Sequence, residues 1–508
     1  MIAAAPTYRD LIERGARAHA ARTAMIVGER AYTFAEVNDR ANRLAQALIR
    51  SGTNKGARVA VLLENGADSI PIDFAVSKAG LNKVPLNARL SPDEHERMVV
   101  ETQCEFLLFG DSHAGRAAEL IEAVPGLSPL GLGAALAGGP DIGALAVMLD
   151  PVPPLVAIDQ ADVVLTLFTS GTTGVLKAAQ HTQASYAAIC RNVLLNLFPI
   201  QPDDRMLHAA SLIHASGTFV LPFWLRGACS VVLPGFAPDA YLAEIQAHRV
   251  TAINLVPTML QMLLDHPALD HTEITSLRHI IYGASPMPRP LIARAMARLG
   301  QDRFWQYYGQ TEAPLCIAVL RPEDHEPERL GACGRPAVDV DIRLLDENGH
   351  DAADGPGEII VRMASSAIDY FNACDLSTET FADGWVRTRD IGRIDQDGYL
   401  HLLDRTSDMI ITGGYNVYPR EVEDALLSHP AVAEAAVVGT PDDKWVEAIV
   451  AFVVVRPEQE IDAAALVDHV AAQIASYKKP NRIVFTAELP KTVVGKLNRK
   501  ALREGLGA

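Results

Sequence analysis

Apolar residues in the first part of the chain recur either at the spacing of a helix or in short, uniform runs. Residues 37–48 carry apolar side chains at helical spacing, and Ser51-Gly52 ends the helix that they predict. Ile70–Ala79 predicts a second helix. Val59–Leu63 and Phe106–Phe109 are apolar throughout, which is typical of buried strands. This alternation indicates an α/β architecture with largely parallel sheets.

The alternation continues as far as residue 299 and changes its character near residue 420. The next predicted elements are the strands Cys229–Leu233, Thr251–Leu255 and Arg278–Tyr282 and the helices Asp239–His248 and Thr258–Leu264. Residues 125–150 are rich in Gly, Ala and Pro and predict a loose connection. The last part predicts a compact α+β unit made of Glu421–Ser428, Ala435–Val438, Ile449–Val455, Ala463–Ile474 and Ile483–Thr486. Because 508 residues exceed what one hydrophobic core supports, we expect at least two domains.

Composition and charge narrow the class of protein. Apolar residues make up 49% and charged residues 21%, an ordinary balance for a globular protein in water, and the net charge of −17 disfavours binding to nucleic acid. The N-terminus lacks the features of a secretory signal, and no segment reaches the length of a membrane span. The six cysteines are scattered without a C-x-x-C pair, so we expect buried thiols in a reducing compartment. We therefore predict a cytoplasmic protein with no membrane span and no structural metal.

A stretch of Thr, Ser and Gly follows the apolar, β-branched run Val163–Phe168, which predicts a buried strand. Hydroxyls and free N–H groups in such a loop can surround phosphate oxygens, and Lys177 adds a positive charge. The loop differs from a Walker A motif because its two glycines are three apart and Ala178 follows the lysine. A Ser/Thr/Gly-rich surface loop is the alternative. The candidate phosphate-binding residues are Thr169, Ser170, Gly171, Thr172, Thr173, Gly174 and Lys177.

Further segments carry side chains that suit a nucleotide. In Tyr307-Tyr-Gly-Gln-Thr-Glu312 an aromatic ring can stack on adenine, and a carboxylate can hold Mg²⁺. Asp390, at the end of Trp385-Val-Arg-Thr-Arg-Asp390, can accept two O–H donors. Two glycines, Gly413-Gly414, lie in a turn between apolar runs, and Lys496 lies in a basic C-terminal tail. Taken singly, each segment could equally be a core tyrosine, a surface ion pair, a tight turn or a solvated face.

Six segments resemble the motifs of the adenylate-forming superfamily, which contains acyl- and aryl-CoA synthetases, luciferases and peptide-synthetase adenylation domains. Five are described above. The other, Ser211-Leu-Ile-His214-Ala-Ser-Gly217, follows the phosphate loop along the chain and is similar to the family's P-L-F-H-x-x-G stretch. The resemblance covers nearly the full chain. The chain departs from the family pattern at four positions, where Leu176 replaces a proline, Arg389 a glycine, Ser407 an Asp or Lys, and Tyr415 a glutamate.

The resemblance implies a role for each motif. Residues 1–405 would form the large N-terminal domain with the ATP and acyl sites, and residues 406–508 a small mobile domain that turns about the hinge Ser407. Lys496, Thr311 and Glu312 would be catalytic, with Mg²⁺ on Glu312, and Gly413-Gly414 would line the CoA tunnel. His214 would lie at the acyl pocket or its gate. Gly309 would lie at the acyl pocket as well, because relatives that act on acetate carry a tryptophan at its position. The implied ATP- and AMP-binding residues are the phosphate loop named above with Gly283, Ala284, Ser285, Tyr308, Thr311, Asp390 and Arg405.

The activity that the resemblance implies is a two-step ligation. An acid and Mg·ATP would give acyl-AMP and pyrophosphate, and CoA would then take the acyl group and release AMP. Phe219, Phe223 and Trp224 favour an apolar monocarboxylate, and no aspartate between Ser211 and Leu225 could pair with an ammonium. The sequence leaves open whether the acid is fatty, aryl or polycyclic. It also leaves open a carrier-loading adenylation domain, a non-catalytic ATP-binding relative, and a homodimer.

Overall fold

Two largely parallel sheets form the framework of the large domain. The computed structural model describes residues 5–136, 138–169, 177–212, 215–352, 355–413, 415–442, 444–457, 459–492 and 497–506. In the first sheet, six central strands run parallel and the strands outside them are antiparallel. Its nine strands, in spatial order, are Arg335–Pro336, Ala318–Leu320, Phe304–Tyr308, His279–Gly283, Ala252–Leu255, Arg205–His208, Cys229–Val232, Thr23–Val27 and Arg30–Thr33.

The second sheet has seven strands and carries the segment that leads into the phosphate loop. Five strands are parallel, and two antiparallel strands follow at one edge. In spatial order they are Asp369–Tyr370, Lys177–Thr182, Val163–Thr169, Asn82–Pro85, Arg58–Leu62, Phe106–Gly110 and Ser128–Leu132. The predominance of parallel strands agrees with the sequence, because uniformly apolar runs are buried on both faces.

Helices cover both sheets. Phe34–Arg50 begins with a capping box on Thr33 and Glu36 and buries an apolar face, as the helical spacing predicts. The helices of the large domain are Tyr8–His19, Phe34–Arg50, Ser69–Lys78, Pro92–Glu101, Ala114–Ala123, Ile142–Val147, Gln183–Asn196, Val220–Arg226, Pro238–Ala247, Pro257–Asp265, Arg289–Leu299 and Cys374–Thr380.

The predicted loose connection over residues 125–150 is wrong. Ser128–Leu132 is an edge strand that pairs in parallel with Phe106–Gly110, and Ile142–Val147 is a helix. Pro129 and Gly131 are uncommon in strands and therefore make this strand hard to predict, but an edge strand tolerates both residues. The helix begins at Asp141, whose side chain accepts hydrogen bonds from the N–H groups of Gly143 and Ala144.

A third sheet, which is antiparallel, follows the two parallel ones. Its strands are Val340–Leu345, Gly357–Met363, Phe381–Ala382, Trp385–Ile394 and Leu400–Arg405. The last two strands place Asp390 directly opposite Arg405. Two of the candidate nucleotide residues are therefore brought together by strand register.

The C-terminal part is a separate α+β unit, as predicted. Its helices are Pro419–Leu427, Ala463–Gln473 and Arg499–Leu506, and its strands are Ile410–Thr412, Tyr415–Val417, Val432–Asp442, Val446–Val455 and Arg482–Phe485. The strands pair antiparallel except for the last, which runs parallel to Val446–Val455. Arg503 of its last helix lies 2.9 Å from Asp408. The boundary after residue 405 stays a prediction.

Five of the six cysteines are buried, as expected. The expectation is wrong for Cys374, which is exposed because it begins a surface helix. Within the described residues, no helix combines the length and apolar character needed to cross a bilayer.

Candidate active site

The ends of the phosphate loop are held by two paired strands. Thr169 and Lys177 face each other in the antiparallel pair that flanks the loop. The Lys177 ammonium lies 5.7 Å from the centroid of the Tyr370 ring, and burial lowers its pKa. Ser170, Gly171, Thr172, Thr173, Gly174 and Leu176 lie outside the described residues. Phosphate binding by this loop therefore stays a prediction.

Tyr308, Asp390 and Arg405 form one connected group. The Tyr308 hydroxyl donates to Asp390 Oδ2 at 2.6 Å, and Arg405 Nε lies 3.3 Å from Asp390 Oδ1. Burial, followed by the charge of Asp390, raises the pKa of Tyr308, so that its hydroxyl stays protonated and donates. Each carboxylate oxygen has two acceptor positions, which leaves room for ribose hydroxyls beside the existing bonds. The geometry thus joins residues that the sequence places 97 positions apart at most.

Glu312 is buried, with 8% exposure, and is held by two contacts from one segment. Its Oε1 accepts the Tyr370 hydroxyl at 2.6 Å, and its carbonyl accepts the N–H of Ala367 at 2.9 Å. Burial and the neighbouring carboxylate raise the pKa of Tyr370, so this hydroxyl also acts as a donor. The carboxylate is fixed at the place where Lys177 contacts Tyr370.

One carboxylate fits Mg²⁺ better than a metal with a full protein cage. Among the described residues, no three His, Cys, Asp or Glu side chains are grouped in a way that could hold an ion. Mg²⁺ commonly takes one or two carboxylates and completes its shell with substrate phosphates and water. Glu312, whose second oxygen is not the one that Tyr370 occupies, is compatible with that arrangement.

Tyr370 and His181 were missed by the sequence analysis. His181 Nε2 donates to the Thr311 carbonyl at 2.9 Å, and burial lowers its pKa to about 4, so the ring is neutral. Tyr370 sits on a two-residue strand that pairs with the strand of Lys177. His181 carries a weak signal, because it lies four residues after the loop lysine. Tyr370 carries none, because its position depends on strand pairing over nearly 200 residues.

Gly283 and Ala284 lie beside the Tyr307-Tyr308 strand end. Gly283 is directly opposite Tyr307 in the parallel sheet, and a Cβ there would approach the Tyr307 carbonyl oxygen to 2.5 Å. Ala284 has φ +60°, in the left-handed region, so the chain turns sharply after the strand. Ser285 follows, partly exposed. The nucleotide roles of these three residues stay predictions.

Gly309 is required by a close backbone approach. A Cβ on Gly309 would lie 2.3 Å from the carbonyl oxygen of Leu315, because the chain folds back after Glu312. Its φ is not positive, so the alternative explanation of a left-handed turn is wrong. A tryptophan at this position cannot report on tunnel depth, because its first carbon already meets the backbone. The open acyl tunnel itself stays a prediction.

We expect Gly309→Ala to impair the enzyme for every acid alike. The added methyl must displace the backbone of Leu315, and overpacking of this kind costs about 1–3 kcal/mol. The melting temperature should fall, and kcat/KM for hexanoate and for cinnamate should fall by the same factor. A selective loss of the longer or the aromatic acid would show that the side chain enters the acyl pocket instead.

The remaining predicted site residues are only partly described. His214, Gly414 and Lys496 lie outside the described residues. Gly413 has φ +57° and donates its N–H to the Trp445 carbonyl at 2.8 Å, so the tight turn is confirmed and the CoA tunnel stays a prediction. Tyr415, which departs from the family pattern, is exposed and stacks on Tyr477 with the ring centroids 4.6 Å apart.

The comparisons with known proteins agree with this geometry. Residues 12–371 match the family described as AMP-binding enzyme, and residues 421–496 match the AMP-binding enzyme C-terminal domain. A medium/long-chain-fatty-acid–CoA ligase from Mycobacterium tuberculosis is 36% identical and covers 99% of this chain and 91% of the relative. A feruloyl-CoA synthase from an Amycolatopsis species is 35% identical, over 97% of this chain and 98% of the relative.

The fold is shared with a solved structure over almost the whole length. The amide bond synthetase from Marinactinospora thermotolerans superposes with a TM-score of 0.91 at 31% identity, over 98% of this chain and 99% of that one. The predicted fold, with a large, mostly parallel α/β domain and a small α+β domain, is confirmed.

Proposed function

Because the chain belongs to the family of AMP-binding enzymes, we propose that it activates a fatty or aryl monocarboxylic acid with ATP and transfers the acyl group to CoA. The two relatives described above are named as a CoA ligase and a CoA synthase, and the chain is accordingly an AMP-forming acid–thiol ligase. ATP and CoA are its co-substrates.

The observation that carries the proposal is the joined pair of sites around Asp390 and Glu312. The Asp390 carboxylate would accept hydrogen bonds from the ribose, and Tyr308 and Arg405 hold this carboxylate in place. Glu312 and Lys177 lie together at Tyr370, where the phosphates would follow. This order of groups suits a nucleotide laid from its ribose toward its phosphates. Adenylation is the chemistry that such a site supports, because it turns a carboxylate oxygen into a phosphate leaving group.

The transition state of adenylation carries extra negative charge on the α-phosphate, and fixed positive charge lowers its energy. Lys496 and Thr311 are proposed to act there. His181, whose ring holds the Thr311 carbonyl, would keep this loop in place. Bound Mg²⁺ would supply further charge neutralisation, and Glu312 is the residue proposed to hold it. No protein nucleophile is needed, because the acid itself attacks the phosphorus.

The nature of the acid rests on the relatives more than on the apolar residues named from the sequence. Phe219 packs near Tyr307, with ring centroids 6.2 Å apart. Trp224 instead packs on Phe34 and Phe74, and its indole N–H donates to the Ile12 carbonyl, so it belongs to the N-terminal core. The relatives named for fatty acids and ferulate support an apolar acid, either fatty or aryl.

The decisive experiment is a panel of acids with ATP and three acceptors. Hexanoate, decanoate, benzoate, cinnamate and ferulate are each assayed for AMP release with CoA, with an amine, or with neither. We expect AMP and acyl-CoA to form together only when CoA is present. Amide formation from the amine without CoA would show that the chain acts like the structurally similar amide bond synthetase. If no acid leads to AMP release, the proposal is overturned.

A change at the hinge should separate the two half-reactions. The neighbours of Ser407 are anchored: Thr406 donates its N–H and its hydroxyl to the Arg389 carbonyl at 2.9 and 3.0 Å, and Asp408 pairs with Arg503. Ser407→Pro fixes φ and restricts the residue before it, so rotation about this point should stop. We expect thioester formation to fall more than tenfold further than ATP–pyrophosphate exchange. Ser407→Ala serves as the control, and equal losses in both half-reactions would indicate damage to the fold.

A further inference from the structure

Arg389 holds a backbone conformation that a glycine would adopt at lower cost. Its φ is +59°, in the left-handed region, and it stands where the similar family motif has glycine. Its backbone makes two contacts. The N–H donates to Glu358 Oε1 at 3.2 Å, and the carbonyl accepts from Thr406. Since glycine would keep both contacts, the arginine side chain is not needed for the fold at this point.

The guanidinium of Arg389 has donors that are not used in the ion pair with Glu379. One terminal nitrogen, Nη2, lies 3.0 Å from Glu379 Oε2, a carboxylate that is 62% exposed. The Nε group is buried and has no hydrogen-bond partner. A guanidinium has five N–H donors and binds phosphate or carboxylate in a bidentate manner. One buried donor therefore remains available on a group already oriented by Glu379.

Arg389 also lies close to the proposed phosphate position. It is adjacent in sequence to Asp390. Its charge, after burial the largest cause, lowers the pKa of Lys177, and Arg405 acts in the same direction. Arg389 also acts electrostatically on Tyr370, and Arg405 on Glu312, so both arginines lie within electrostatic reach of the Glu312–Tyr370 hydrogen bond that Lys177 adjoins. Glu312 and Glu379 act on the pKa of Lys177 in the opposite direction, so carboxylates balance these cations in the empty protein. A phosphate oxygen could therefore take the place that Glu379 holds beside Arg389.

We propose that Arg389 binds the β- and γ-phosphates of ATP, or pyrophosphate, as an additional ligand beyond the phosphate loop, and that Glu379 holds it ready in the empty enzyme. The inference rests on the proposed function, since it assumes that the Asp390 side of the site holds the ribose. It separates two kinds of ligand: ATP and pyrophosphate would contact Arg389, whereas AMP, which lacks these phosphates, would not.

The test compares binding of Mg·ATP, Mg·pyrophosphate and AMP by calorimetry, without any acid, in wild type and Arg389→Gly. We expect the Kd for ATP and for pyrophosphate to rise about tenfold to a hundredfold, the range for one hydrogen bond to a charged group. The Kd for AMP should stay within twofold. The melting temperature should not fall, because glycine relieves the left-handed conformation.

Two control variants sharpen the result. Asp383→Gly removes another left-handed residue, φ +54°, from an exposed turn close by in the chain, and should leave all three affinities unchanged. Glu379→Gln frees Arg389 from its carboxylate, and should tighten pyrophosphate binding instead of weakening it. A purely structural ion pair would make Glu379→Gln and Arg389→Gly behave alike.

The outcomes distinguish the inference from the proposed function. If wild type binds neither ATP nor AMP, the proposed function fails. If wild type binds both and Arg389→Gly binds ATP equally well, only the role of Arg389 is wrong. If Arg389→Gly loses AMP as strongly as ATP, the arginine acts through Asp390, and the assignment to the outer phosphates is overturned.

Discussion

Lys496→Ala is expected to reduce acyl-AMP formation by about 10²–10³-fold, the cost of removing one charge contact at a transition state. The lysine belongs to a P-x-T-x-x-G-K segment, and two described residues of this region, Lys491 before it and Leu497 after it, form an isolated antiparallel bridge. Thioester formation from supplied acyl-AMP should be largely kept, because the family resemblance implies that the small domain turns about Ser407 between the two steps and brings Gly413-Gly414 to the place that Lys496 had occupied. ATP–pyrophosphate exchange and single-turnover CoA acylation measure the two steps separately.

Lys500→Ala is the matched control for this prediction. Lys500 lies in the last helix, is exposed, and faces Glu504 one turn away at 3.8 Å. Both variants lower the positive charge of the C-terminal tail by one unit, so a general electrostatic effect would appear in both. Near-normal exchange in Lys496→Ala, or equal losses in the two variants, would refute the adenylation role.

Much of the framework could be predicted because local pattern and tertiary structure agree there. Val163–Thr169 is rich in apolar and β-branched residues and is buried over residues 164–166, and it ends where the Thr/Ser/Gly run begins. The capping box and the apolar face of the helix Phe34–Arg50 can both be recognised from residues within the helix and its N-cap. Where several local preferences point to one structure, the sequence alone is informative.

The rest depends on contacts between distant segments. The return of the chain at Leu315 decides that there is no space for a Cβ on Gly309. The contact of Tyr370 with Glu312 depends on a two-residue strand that pairs with Lys177–Thr182. Trp224 looks like a pocket residue beside His214 in the sequence, but its helix turns it toward Ile12. Residue type and spacing carry no information about such approaches.

The departure at Arg389 shows how a local rule can fail beside the proposed ribose site. A glycine motif that contains arginine should be strained, and the structure does place Arg389 in the left-handed region instead of rearranging the strand. The bulge between this strand and Gly357–Met363 absorbs the turn and leaves Asp390 opposite Arg405. The unusual residue can be recognised in the sequence, whereas its pairing with Glu379 and its electrostatic effect on the pKa of Lys177 appear only in the structure.

Asp390→Asn should weaken AMP and ATP binding by about 10²–10³-fold. The carboxylate accepts from Tyr308, pairs with Arg405, and would accept from the ribose, each bond to a charged group contributing about 1.5–3 kcal/mol. An amide keeps the shape but replaces one acceptor with an NH₂ group, which must then face a hydroxyl or a guanidinium that also donates. Calorimetry with AMP and with adenosine measures the loss, and the two ligands should lose affinity equally because the ribose is common to them.

Tyr308→Phe provides the comparison for Asp390→Asn. It removes one donor and leaves the charge and both oxygens of Asp390 in place for the ribose. Its effect on AMP binding should therefore be at most about tenfold, less than the loss of a direct hydrogen bond between the ligand and a charged group. The double variant should be no worse than Asp390→Asn alone, because residues in one hydrogen-bonded group are not additive. If Asp390→Asn binds AMP with unchanged affinity, the ribose does not bind this carboxylate. If Tyr308→Phe loses more affinity than Asp390→Asn, the tyrosine contributes more to AMP binding than the Asp390 carboxylate does.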